Sequence, residues 1–174
     1  MNTHVLSGQP ERDTHGIYRC AGLPVRLGFP SRDDYKIICD EQGHTIAVEA
    51  LRAFPRTSRM CRVSGQLLPY RCRQTRQMHS GIHLYDPRFF GLIQHACEPN
   101  VYLDLSELWL WALKDIHQGE RLTMDYAATE EKLVHQFACH CGSPRCRGWI
   151  MGYDEPPNSE GQGFLQRWRR PCSR

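Results

Sequence analysis

The chain has 174 residues, 40% apolar and 24% charged, which suits one globular domain with a real core and excludes a disordered or fibrous chain. Its formal charge of +3 comes from 22 basic and 19 acidic residues; only Lys36, Lys114 and Lys132 are lysines, so the positive charge is almost all guanidinium. The longest apolar run, 108–113, is too short to cross a bilayer, and the polar start holds no signal peptide, so a soluble, cytoplasmic protein without membrane contact is expected.

In chain order, residues 1–16 read as a loose tail. Short strands follow at 36–39, 44–51, 61–68, 101–105, 107–113 and 121–126, each alternating or rich in β-branched and aromatic residues. Two stretches read as helix: 87–95 behind an Asp86 cap, and 130–137 behind a Thr129 cap. Beyond Trp149 the chain turns proline- and glycine-rich, and it ends in a basic tail with Phe164 and Trp168. The fold class is mainly β.

Seven arginines (52, 56, 59, 62, 71, 73 and 76) fall between Ala50 and Tyr85 without one acid. Such a run is a solvated face, or it recruits an acidic partner, a nucleic acid or a phosphopantetheine-type group. No aromatic residues interleave it in the pattern of nucleic-acid recognition, so nucleic acid is not predicted.

Nine cysteines without a secretion signal argue for metal rather than disulfides. Cys139, Cys141 and Cys146 fall within eight residues, as CHCGSPRC, and a tetrahedral zinc site needs one donor more.

Three segments in one order, QHACEPN (94–100), DIHQGERLTMDY (115–126) and FACHCGSPRCRGWI (137–150), together resemble the SET-domain methyltransferases. In that family an Asn-His-Ser-Cys-x-Pro-Asn segment precedes Gly-Glu-Glu-Leu-Thr-Phe-Asp-Tyr, and a post-SET segment with three close cysteines follows. The resemblance implies several short β-sheets with few short helices, a pseudoknotted C-terminal segment and a post-SET zinc knuckle. It divides the chain into a tail (1–16), a SET domain (17–136), a post-SET segment (137–152) and a basic tail (153–174).

The same resemblance implies S-adenosylmethionine as cofactor and one structural zinc held by Cys97, Cys139, Cys141 and Cys146. Tyr126 becomes the catalytic residue, and Gln94, His95, Tyr126, Phe137 and Trp149 become cofactor contacts, with Phe137 and Trp149 as an aromatic wall for the adenine. The implied reaction is methylation of a protein lysine. A biosynthetic tailoring enzyme acting on a small-molecule or carrier-bound substrate is the second reading, and a zinc-stabilised interaction module that has lost activity is the third. Four departures bear on that choice. Gln94 replaces Asn, Ala96 replaces Ser, Met124 stands where Phe or Tyr is usual, and Val63 falls where many members carry a tyrosine. A Gly-x-Gly signature is also missing from the N-terminal half.

Overall fold

A computed structural model describes residues 15–18 and 25–168. Most of the expected N-terminal tail, the end of the basic tail, Cys20 and Cys172 lie outside them. The architecture is mainly β: twelve short strands in five small sheets, with one α-helix, among the described residues. No helix among those residues is long and apolar enough to cross a membrane.

The first sheet is a hairpin of β1 (Tyr35–Cys39) and β2 (Thr45–Ala50). Its turn is closed by Asp40, whose Oδ1 accepts the amides of Gln42 and His44. The 61–68 segment supplies two strands instead of one. β3 (Arg59–Arg62) pairs with β9 (Trp109–Ala112), which pairs with β8 (Val101–Asp104). β4 (Gln66–Leu68) joins a second three-stranded sheet with β5 (Thr75–His79) and β6 (Ile82–Tyr85). Between the sheets sits one core, in which Tyr35 stacks on Phe54 at 5.4 Å and meets Phe89 edge-on at 4.9 Å.

Asp86 is not the N-cap residue, a place that falls to Phe89; its carboxylate instead holds the preceding turn by accepting the amides of Arg88, Phe89 and Phe90. The helix expected over 87–95 is only a single 3-10 turn, Phe90–Leu92. Phe89, Phe90, Gly91 and Ile93 are buried in succession while only Pro87, Arg88 and Gln94 at the ends are exposed, so the segment lacks the repeating solvent face of an amphipathic helix. Gly91 sits hard against the Asp86 carbonyl, where a Cβ would fall 2.0 Å from the oxygen. The chain then extends into β7 (Gln94–His95).

The 130–137 segment is not a helix. Only Glu130 N–H reaches the carbonyl four residues back, that of Tyr126; beyond it, Glu131 N–H donates to Gln77 Oε1 and Leu133 N–H to Glu155 Oε1. Thr129 instead ends a 3-10 turn, Tyr126–Ala128, that Asp125 caps. At the far end, α1 (Ser159–Trp168) occupies part of the stretch expected as a basic tail. Asn158 caps it through Gly161 N–H, and Phe164 and Trp168, one turn apart, stack at 5.4 Å.

Two further pairings position the site. β10 (Thr123–Met124) lies parallel to β7, bringing residues about thirty apart in sequence side by side. Asn100 locks this crossing, accepting Thr123 N–H at 2.7 Å and donating to the Arg121 carbonyl at 2.8 Å. β11 (Phe137–Ala138) then pairs with β12 (Trp149–Ile150) around the cysteine-rich turn.

Candidate active site and metal centre

The β7–β10 pairing sets His95 beside Tyr126. Tyr126 N–H donates to His95 Nδ1 at 3.3 Å, while Nε2 faces Cys97 Sγ at 3.5 Å. An Nδ1 that accepts leaves the proton on Nε2, where it points at sulfur. Burial pushes the His95 pKa down to about 4; Asp125 pulls it up and Arg147 down. A neutral ring whose Nδ1 already accepts an amide cannot ion-pair with Asp125, 3.7 Å away. Asp125 instead holds Arg147 and caps Ala127 N–H.

Tyr126 donates its hydroxyl proton to the Ile93 carbonyl at 2.8 Å. Its ring lies 5.4 Å from His95 and 6.2 Å from Phe137, and Phe137 meets His95 edge-on at 5.7 Å. These three rings and Gln94 line one cleft of about 500 Å³, within the usual range for small-molecule sites. The cleft thus gathers four of the five expected cofactor contacts. Trp149 does not reach it: its indole is buried beneath α1, against Phe164 at 5.6 Å, with Nε1–H donated to Gln136. Val63 is buried in the core, away from the cleft.

The cleft also holds residues that the sequence did not single out. Arg76 is 3% exposed, and its guanidinium lies 4.4 Å from the Tyr126 ring centre. Its Nε–H donates to Met124 Sδ at 3.2 Å. The arginine run is therefore not one face. Arg52 and Arg59 are exposed and paired with Asp34 and Glu107, whereas Arg76 is interior. Glu130, also in the wall, accepts Gln77 N–H at 3.0 Å, and burial pushes its carboxyl above the usual range against the pull of that bond, Arg76 and Arg71. Burial of charged side chains depends on tertiary partners, and a one-dimensional pattern of polar residues carries no signal for it.

Behind the cleft, the Sγ atoms of Cys97, Cys139, Cys141 and Cys146 all lie within 4.8 Å of one another, with Cys97 and Cys139 3.8 Å apart. Sulfurs about 2.3 Å from a tetrahedral zinc would be about 3.8 Å apart, so the four thiols fit that ion. Arg147 N–H donates to Cys97 Sγ, as outer-shell amides do for thiolates.

A sequence profile described as "SET domain" matches residues 35–127. Histone-lysine N-methyltransferase trr of Drosophila melanogaster is 34% identical over 64 residues, 33% of this chain and 3% of that protein. Methyltransferase flvH of Aspergillus flavus is 32% identical over 79 residues, 44% of this chain and 43% of that protein. The chain spans less than half the length of either relative. Among solved structures, KRYPTONITE in complex with mCHG DNA and SAH superposes with a TM-score of 0.52 at 21% identity, covering 66% of this chain and 28% of that one, a likeness of fold.

Proposed function

Since the chain belongs to the SET-domain family, matched across more than half its length, we propose that its cleft transfers a methyl group from S-adenosylmethionine to a bound nucleophile, with Tyr126 at the reaction centre. The observation that carries this reading is the convergence of Gln94, His95, Tyr126 and Phe137 on one cleft from three separate segments of the chain. The cleft suits the cofactor, with an aromatic ring at Phe137, polar groups at Gln94 and a volume sufficient for a nucleoside. S-adenosylmethionine supplies, when bound, a sulfonium methyl open to in-line displacement.

Tyr126 has its hydroxyl proton committed to the Ile93 carbonyl, so its oxygen is left to accept an N–H from the nucleophile and hold it in line. His95 is a positioning residue: with both nitrogens occupied, it fixes the backbone at Tyr126 instead of moving a proton. Cys97, Cys139, Cys141 and Cys146 hold one structural zinc, which ties the Phe137 strand to the His95 segment.

The names of the relatives point to a protein lysine as acceptor. Arg76 favours a second reading, a small-molecule acceptor, because its cation, 4.4 Å from the Tyr126 ring centre, would repel a lysine ammonium brought to that tyrosine. The test is calorimetric titration of the zinc-replete protein with S-adenosylmethionine. One-to-one binding is expected; absence of heat at two temperatures would leave the fold as an interaction module. Methyl-labelled cofactor added to extract then separates label in protein lysine from label in a solvent-extractable product.

A further inference from the structure

Arg76 is an interior cation whose described hydrogen-bond acceptors are all neutral, and Glu130, whose carboxyl feels its charge, is not within ion-pair distance. Nε–H donates to Met124 Sδ, Nη1 to the carbonyls of Thr75 (2.6 Å) and Arg73 (3.4 Å), and Nη2 to the Ile93 carbonyl (3.3 Å). That leaves one Nη2 hydrogen without an acceptor among the described residues. No carboxylate oxygen lies within 4 Å of it among those residues. Arg71, on the same wall, has a buried Nε–H with no acceptor among the described residues. Arg73 and Lys132 also line the cleft, and Glu130 is the one acid among the described lining residues.

Burying a guanidinium without a counter-ion is costly, and an anion delivered by a ligand recovers that cost. The guanidinium sits on the ring of the tyrosine placed at the reaction centre, so the anion would be seated next to the reacting atoms. A lysine ammonium entering there would meet a like charge. Met124 belongs to the same arrangement: its sulfur takes the Nε–H of a guanidinium that lines the cleft.

We propose that the methyl acceptor is a small amino acid whose carboxylate seats on Arg76 and Arg71 and whose amine lies at Tyr126. This rests on the methyl-transfer reading of the cleft. The fixed positive charge also favours the neutral, nucleophilic form of the amine. In the transfer, the amine lone pair forms the new N–C bond to the methyl carbon. The S–C bond breaks with its electron pair left on sulfur, giving S-adenosylhomocysteine, and the proton of the new ammonium leaves to solvent.

The experiment is calorimetric titration of the full zinc-loaded chain, saturated with S-adenosylhomocysteine, with 5-aminovalerate and with n-pentylamine, two amines of equal length of which only the first carries a carboxylate. 5-Aminovalerate should bind in the millimolar range or tighter, at least about tenfold better than n-pentylamine. Arg76→Gln should abolish that preference, and Arg76→Lys should keep part of it. Equal binding of the two amines, no binding of the acid at about 20 mM, or an unchanged preference in Arg76→Gln would overturn the proposal. Acid binding that S-adenosylhomocysteine abolishes would also overturn it, assigning Arg76 to the carboxylate of the cofactor. Should Arg76→Gln not fold, Arg71→Gln and the wild-type comparison carry the test. Failure of S-adenosylhomocysteine itself to bind the wild type would instead sink the methyl-transfer reading.

Discussion

At the scale of single residues, the hydroxyl of Tyr126 is the group whose removal is most informative. Tyr126→Phe deletes one donor to the Ile93 carbonyl and one oxygen facing the cleft, leaving the ring against His95 and Phe137. Turnover should fall on the order of a hundredfold, while S-adenosylhomocysteine affinity measured by calorimetry stays within about twofold. A wild-type rate would remove Tyr126 from the chemistry. Glu130 offers a second handle. Its folded pKa is raised by burial, so the folded protein holds a proton that the unfolded chain has already lost. Stability should therefore fall as pH climbs from the ordinary glutamate value of 4.5 through the raised one. Glu130→Gln keeps an acceptor for Gln77 N–H and removes the charge. Denaturant melts at successive pH values should show the mutant gaining on the wild type across that window; parallel curves would refute the assignment. Tyr126, His95 and Cys97 were legible in the sequence because they sit in short contiguous motifs. Arg76 was not, since its partner Met124 is 48 residues away and nothing in TRQMH marks an arginine as buried.

At the scale of elements, the strands with period-two patterning were legible and the helices were not. β1, β2, β8 and β9 fall where alternation and β-branching place them. The two-residue strands β7, β10, β11 and β12 are too short to show any period and exist through their partners. α1 was hidden because Gly161 and Gly163 lower its intrinsic helix propensity. Gly161 is nevertheless required, since a Cβ there would fall 2.3 Å from Trp149 Nε1. Gly161→Ala improves the propensity of an exposed helix by about 1 kcal/mol, yet here it should destabilise by about 1–3 kcal/mol through overpacking. Limited proteolysis should show earlier cutting near Asn158 in the mutant. Unchanged cutting and an unchanged melting temperature would mean that α1 does not pack on Trp149 as described.

At the scale of the molecule, the site depends on two ties that hold distant segments in place. The Asn100 clamp fixes β10 against β7, and the four thiols join the 139–146 turn to Cys97. The second tie is the weaker one without its metal, because β11 and β12 share only two residue pairs and no residue of the 140–147 turn between them is buried. Cys97 lies two residues from His95, and Cys139 two from Phe137, so a zinc on these thiols would hold both rings that flank Tyr126. Stripping zinc with a chelator should therefore act in a graded way along the chain. Amide hydrogen exchange should speed up over 137–150, while β8 and β9, inside the main core, keep their protection. S-adenosylhomocysteine affinity should fall about ten- to a hundredfold in parallel, the loss expected when the supports of a site are removed. Cys141→Ser should reproduce both effects, because three thiolates bind zinc more weakly than four. A full zinc equivalent in that mutant, or protection lost evenly across β8, β9 and the knuckle, would show that these four sulfurs are not a local tether and that the cleft is held together by the core alone.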